Sequence, residues 1–168
     1  MLKIAKSLQD LQFSSLMAVY EEGNQENARY FYPQLPPEER IFQAEQDFYA
    51  YLRDGFFRQP HAAYYIWTEG GRYLSALRLE PYQDGLLLEA LETHPEYRGR
   101  GYAKQLIRTV LELAEYEKIY VHISRRNAPS IAAHTACGFR KILDYGVYID
   151  GSVNHHTDTY LYENPRCD

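Results

Sequence analysis

The order of hydrophobic patterns predicts an α/β (α+β) domain, with helices packed on a mixed, mostly antiparallel sheet. Three observations carry that expectation. β-rich runs at 62–68, 73–80 and 86–93 follow one another across short turn signals, the pattern of a meander. The third run leads into a glycine-bearing turn and then a helical pattern, so the meander ends in a strand-turn-helix unit. Two more β-rich runs, 139–149 and 157–163, close the chain.

From the N-terminus, Leu2-Lys3-Ile4-Ala5-Lys6 alternates as a strand does. Ser7 or Asp10 can cap a helix reaching about residue 22, with Leu8, Leu11, Leu16 and Val19 on its apolar face. Residues 23–34, polar and tyrosine-bearing, read as a loop. Pro36-Pro37-Glu38-Glu39 starts a helix, because proline fits the first turn and carboxylates suit the positive end of the dipole. Ile41, Ala44, Phe48, Tyr51 and Leu52 share one face of that helix, and Gly55 ends it. Glu69-Gly70-Gly71-Arg72 is a hairpin turn, and the chain turns again over Pro81-Tyr82-Gln83-Asp84-Gly85. The helix after the third run spans about 100–117, burying Ala103, Leu106, Ile107, Val110, Leu113 and Ala114. Residues 118–124 form a β-branched strand. Residues 127–137 form a short helix with Pro129 in its first turn, closed by Gly138. Asp150-Gly151-Ser152-Val153-Asn154 is a polar tip between the last two strands.

A chain of 168 residues suits a single domain, 1–168, with a substantial core. Its 45% hydrophobic and 24% charged residues are those of a globular chain rather than a disordered one. A net charge of -5 disfavours broad nucleic-acid binding, which needs a concentrated basic surface. The same charge is ordinary for solubility and can favour cationic substrates. Cys137 and Cys167 make no disulfide framework, so a reducing cytoplasm is the expected setting. Met1-Leu2-Lys3-Ile4 begins no secretory signal, and no apolar run approaches the ~20 residues of a membrane span. The 17 tyrosines point to polar-tipped aromatics in the core or a pocket. No metal is expected: His155 and His156 would point to opposite faces of a strand, and neither they nor Asp158 have zinc-ligand spacing.

The chemistry centres on Glu92-Thr93-His94-Pro95-Glu96-Tyr97-Arg98-Gly99-Arg100-Gly101-Tyr102-Ala103. Gly99 and Gly101 lack a Cβ and let the backbone approach a ligand. The first amides of the following helix have no intrahelical acceptors and lie at the positive end of its dipole. Arg98 and Arg100 add charge suited to phosphate oxygens. A dinucleotide site would want a third glycine or alanine where Lys104 stands, and a P-loop would want Gly-Lys-Ser/Thr. Arg98-Gly99-Arg100-Gly101-Tyr102-Ala103 instead resembles the Arg/Gln-x-x-Gly-x-Gly/Ala pyrophosphate loop of the GNAT family of N-acetyltransferases, with His94-Pro95-Glu96-Tyr97 as the usual approach to it. Further on, Asn127-Ala128-Pro129-Ser130-Ile131-Ala132-Ala133-His134-Thr135-Ala136-Cys137-Gly138-Phe139 resembles the family's Asn-x-x-Ser/Ala-x-x-x-Tyr-x-x-x-Gly-Phe segment, with His134 at the tyrosine position.

That resemblance implies a sheet splayed between its fourth and fifth strands, with helices on both faces. It implies a coenzyme-binding core over 62–163 and variable acceptor-side helices over 1–60. Acetyl-coenzyme A would enter as co-substrate, its pantetheine arm against Leu91, Glu92 and Thr93 and its pyrophosphate on Arg98, Gly99, Arg100, Gly101, Tyr102 and Ala103. Asn127 would bond the arm, with Ser130 and His134 beside it; a helix cap is the competing role for Asn127. The acceptor would be an amine-bearing small molecule or peptide, and a homodimer is compatible with the family. Cys137 stands at a position that is apolar in the family, as a packed residue rather than a nucleophile.

Direct acetylation of a primary amine in a ternary complex needs a base to deprotonate the ammonium, backbone amides to stabilise the oxyanion, and an acid to protonate the departing thiolate. His134 holds the family's acid position. Glu89, Glu92 and His122 are the candidate bases; period-two alternation would put Glu89 and Glu92 on opposite faces of their strand. The alternative is a non-catalytic acyl-coenzyme A binding or regulatory module of the same fold, towards which His134 in place of tyrosine leans.

Overall fold

The computed structural model describes residues 1–166; Cys167 lies outside the described residues. Its main sheet has seven strands: β1 (Leu2–Ala5), β2 (Ala63–Glu69), β3 (Arg72–Tyr82), β4 (Gly85–Thr93), β5 (Lys118–Ser124), β6 (Arg140–Leu143) and β9 (Thr157–Glu163). They lie in the order β1-β2-β3-β4-β5-β9-β6, and every pairing is antiparallel except β4 with β5. A separate ribbon joins β7 (Gly146–Val147) to β8 (Val153–Asn154). The helices are α1 (Phe13–Val19), α2 (Glu21–Phe31), α3 (Pro37–Asp54), α4 (Tyr102–Leu113) and α5 (Ala128–Thr135).

The two faces of the sheet carry separate cores. Leu77, Leu79, Leu86, Leu88 and Val121 pack against Leu106, Ile107 and Val110 of α4, with Ile131 and Ala133 of α5 at the edge. On the opposite face Tyr64, Ile66 and Ala76 pack against Leu16, Met17 and Val19 of α1 and Leu52 of α3. The alternation of β2 and β3 produces this division, since neighbours along a strand point to opposite faces.

Several elements differ from the sequence expectation; α4 ends at Leu113 rather than near residue 117, and Leu113 is exposed. The helix proposed from Ser7 or Asp10 to about residue 22 is interrupted: the Asp10 carboxylate accepts backbone N–H bonds from Lys6 and Ser7, both at 3.1 Å, and closes a short 3-10 turn before α1 starts at Phe13. The stretch read as a loop from residue 23 is mostly helix α2. The long strand proposed over 139–149 splits into β6 and β7; its register slips between Lys141 and Leu143, and Lys141 Nζ bonds Asp144 at 2.6 Å and Asp158 at 3.0 Å.

The decisive irregularity is in β4. Ala90 has φ 50, in the left-handed region, and the β3–β4 register slips there, so Arg78 faces Glu89 while Ala76 faces Glu92. Residues 76 and 78 share a face of β3, and therefore Glu89 and Glu92 share a face of β4. This bulge overturns the expectation of opposite faces, because one extra residue inverts the strict alternation. The same half of β4 leaves its other neighbour. Parallel pairing with β5 covers Leu86, Leu87 and Leu88, opposite Ile119, Tyr120 and Val121, and continues no further among the described residues. The sheet thus opens between its fourth and fifth strands towards their carboxyl ends, where open α/β sheets bind ligands.

Candidate active site

A cavity of about 680 Å³ occupies this opening. Its walls come from both faces of the sheet: Glu22, Gly23 and Glu26 of α2 on one side, and the start of α4 with Asn127, Pro129, Ser130 and Ala133 on the other. Leu91, Glu92 and Thr93 line the gap itself. Past Leu88 the β5-side edge of β4 has no ladder partner among the described residues, so its backbone groups can receive an extended, amide-bearing ligand as an added strand would be received.

At one end the backbone forms an anion cradle. Gly99 has φ 76 and Gly101 φ 84, and Gly101 caps the N-terminus of α4. Left-handed residues alternating with ordinary ones turn successive N–H groups towards one point, and the α4 dipole adds positive potential. A Cβ built on either glycine meets no protein atom within 4 Å, which is the clearance a close-lying ligand needs. The cradle therefore fits a pyrophosphate. Gly99, Gly101, Tyr102 and Ala103 all line the cavity, as does Lys104, which sequence reading used only to exclude a dinucleotide site.

The two arginines behave differently from the sequence expectation. Arg98 lines the cavity, but its guanidinium is engaged with protein acceptors: Glu22 at 2.5 Å, Glu92 at 3.7 Å and the Thr93 carbonyl at 3.2 Å. Arg98 is 43% exposed and Glu22 57%, so solvent screens that pair to ~0–1 kcal/mol, and the half-buried Glu92 is a looser partner at 3.7 Å. Arg100 stands outside the cavity wall, its guanidinium 5.3 Å from the centre of the Tyr97 ring.

Asn127 fills the capping role weighed for it: its Oδ1 accepts from the Ser130 backbone N–H at 3.2 Å and caps α5. Its Nδ2 has no partner among the described residues, and the residue borders the cavity. His134 is 1% exposed and outside the cavity wall. Its Nδ1 lies 2.8 Å from the Ser130 carbonyl, which can only accept, so the ring hydrogen is on Nδ1. Nε2 is buried without a partner. Burial lowers the pKa of His134, overcoming the Ser130 bond that favours its charged form.

Of the candidate bases, Glu92 alone borders the cavity. Burial raises its pKa; Arg98 opposes the rise, and the carboxylates of Glu22 and Glu26 add to it. Glu89 and His122 flank the apex of the opening, each one residue past the last β4–β5 pair, Leu88 with Val121. Glu89 is ion-paired with Arg78 at 3.0 Å. His122 Nε2 lies 3.3 Å from the Tyr82 hydroxyl, and burial lowers its pKa against the charge of Glu89. Glu22 and Glu26 were missed in the sequence because the first helix was ended near Glu22 and residues 23–34 were read as loop, which hid their place on one helix; an i, i+4 carboxylate pair was the available signal. The histidine pair assembles no metal site with Asp158, which is buried and paired with Arg125 at 2.7 Å, and no metal-ligand cluster occurs among the described residues.

Known proteins place this geometry. No curated protein sequence matches the chain. Among solved structures it is similar to the ribosomal-protein-S18-alanine N-acetyltransferase of Escherichia coli, with a TM-score of 0.62 at 15% identity over 98% of this chain and 94% of that one. It is similar to the PaiA N-acetyltransferase of Thermoplasma acidophilum in complex with coenzyme A, with a TM-score of 0.58 at 14% identity over 97% of this chain and 99% of that one. It is also similar to a spermidine N-acetyltransferase chimera of Vibrio cholerae SpeG and hSSAT, with a TM-score of 0.63 at 18% identity over 99% of this chain and 97% of that one. These likenesses establish the fold. The sequence profile described as "Acetyltransferase (GNAT) family" matches residues 8–139, most of the chain, and with it the splayed sheet and glycine cradle have their explanation: the chain belongs to the GNAT family of acetyltransferases.

Proposed function

We propose that the protein transfers acetyl from acetyl-coenzyme A to a primary amine, directly and within a ternary complex. The carrying observation is a cavity that crosses the sheet, with an anion cradle on the α4 side and Glu92 in its wall, its carboxylate 3.7 Å from the guanidinium of Arg98, another wall residue. Acetyl-coenzyme A supplies the acetyl group as a thioester. The amides from Gly99 to Ala103 hold its pyrophosphate, the open edge of β4 from Leu91 to Thr93 receives the arm, and the Asn127 Nδ2 donates to it. The amine enters from the α2 side, where Glu22, Glu26 and Glu92 favour a cation.

Glu92 is the proposed base. A carboxylate with a raised pKa is a stronger proton acceptor than an ordinary one, and it removes the proton that blocks the nitrogen lone pair. The second proton shed by nitrogen as the C–N bond forms matches the one the departing sulfur needs. His134 rests neutral with its hydrogen committed to Ser130 and would have to gain a proton on Nε2 before serving as the acid, so the proposal places it as a supporting residue of α5. Turnover of acetyl-coenzyme A with a panel of small amines, polyamines and peptide N-termini tests the reading. Coenzyme binding without turnover of any acceptor would favour the non-catalytic module.

A further inference from the structure

Glu80 of β3 takes no part in the transfer just described, yet it is 1% exposed. Its Oε2 accepts from Gln59 Nε2 at 2.7 Å, and the β3–β4 register, with Glu80 opposite Leu87 and Arg78 opposite Glu89, makes Glu80 and Glu89 diagonal neighbours on one face, a spacing that long side chains span. Glu89 accepts from Arg78 Nε at 3.0 Å, and these two side chains are only 24% and 15% exposed. The Arg78 guanidinium lies 5.1 Å from the Tyr51 ring centre and 5.6 Å from that of Phe56, and its Nη1 is 3.5 Å from the Tyr64 hydroxyl. The titratable groups facing the carboxyl pair are thus Tyr51 from α3, Tyr64 from β2, Arg78 from β3 and His122 from β5, the last sensing Glu89. Burial keeps His122 towards its neutral form, which leaves Arg78 as the one cation against two carboxyls.

Two carboxylates at diagonal positions on one mostly buried face, with a single guanidinium beside them, cannot both stay charged without a large penalty. One proton removes it. Glu89 already accepts a charged N–H from Arg78, whereas Glu80 has a neutral amide as its donor, so the proton belongs on Glu80.

We infer that Glu80 and Glu89 share one proton, carried by Glu80 and donated to Glu89, and that Glu80 is thereby a positioning residue for the bulged head of the splay. The link to the bulge is direct: Glu89 precedes Ala90, whose carbonyl accepts from the Tyr20 hydroxyl at 2.6 Å. Deprotonation would set two carboxylates against each other beside the segment that opens the sheet. In agreement, burial and the neighbouring Glu89 push Glu80 up to about 8. A carboxyl raised in the folded state contributes stability that is full below its unfolded pKa, about 4.3, and is lost as pH climbs towards about 8. The proton itself is independent of the proposed acetyl transfer; its effect on the splay rests on that reading.

Glu80→Gln tests both parts. A neutral amide can accept from Gln59 and donate to Glu89, imitating the protonated acid. The Tm of the variant should equal or exceed that of the wild type, with the gap widening from about pH 5 to about pH 8. Infrared spectra of the wild type at neutral pH should show the C=O stretch of a protonated carboxyl that is missing in the variant. Coenzyme A affinity should weaken in the wild type above about pH 8 and hold in the variant. A lower variant Tm at every pH, or a wild type without the protonated-carboxyl band, overturns the shared proton. Coenzyme affinities that follow the same pH course in both proteins overturn the positioning role. Failure of both proteins to bind coenzyme A overturns that role together with the transfer reading, while the infrared band, present in the wild type and missing in the variant, decides the proton without any ligand.

Discussion

Glu92 carries the chemical part of the proposal, because it combines a place in the cavity wall with a raised pKa. Its neighbours set that value by opposition: burial and the Glu22 and Glu26 carboxylates favour the neutral acid, and Arg98 favours the anion. Glu92→Gln keeps the shape and removes the proton acceptor. Turnover should fall about 100- to 10,000-fold while coenzyme affinity changes little, as titration and steady-state rates on one preparation would show. In the wild type the rate should rise with pH through the Glu92 ionisation, and since its pKa is raised the rise should centre above the usual glutamate range. Unchanged turnover in the variant would move the base to another group. His134 teaches the complementary lesson. Its place in the Asn127 segment was legible from the motif, but its buried and unpartnered Nε2 was not, because a sequence position does not state which ring nitrogen is spent on the local backbone.

At the scale of elements, the β4 bulge and α2 decide how the cavity is lined. Ala90 is an unexpected residue for φ 50, where a Cβ crowds the following carbonyl. Ala90→Gly should therefore stabilise the protein by up to about 1 kcal/mol in denaturant unfolding, since relief of ~1–2 kcal/mol of strain exceeds the added entropy of the unfolded glycine. Destabilisation by the same change would mean that packing of the Ala90 methyl outweighs the strain. Neither feature was legible beforehand. A bulge centred on alanine leaves no mark in the alternation, so Glu89 and Glu92 read as facing opposite ways. Gly23 and Asn24 are weak helix formers that made α2 look like loop. Tertiary contact overrides that preference: Ala28 is buried, and just beyond the helix Tyr32 bonds Asp47 of α3. By contrast the Gly70-Gly71 hairpin, α3, the start of α4 and the turn of Gly99 and Gly101 follow from strong local signals and lie where their residues placed them, although α4 stops at Leu113, short of residue 117.

The whole molecule is two helix-covered cores on opposite faces of a shared sheet, with a smaller cluster of Tyr82, Leu87, Tyr120 and Leu161 beside them, and the opening lies between the two covered faces. α4 and α5 cover one face and α1 and α3 the other, so the gap between β4 and β5 leads from one packed layer to the next. The coenzyme and the amine can then approach from opposite sides and meet at β4. The measurement that tests this most directly is calorimetric titration of the folded protein with acetyl-coenzyme A, with NAD as a control ligand and Gly101→Val as a control protein. Acetyl-coenzyme A should bind with micromolar affinity and NAD should not bind, and the variant, whose new side chain would stand in the cradle, should lose coenzyme affinity. A wild type that is folded by circular dichroism and binds no acetyl-coenzyme A would contradict this arrangement, and the transfer reading would fall with it.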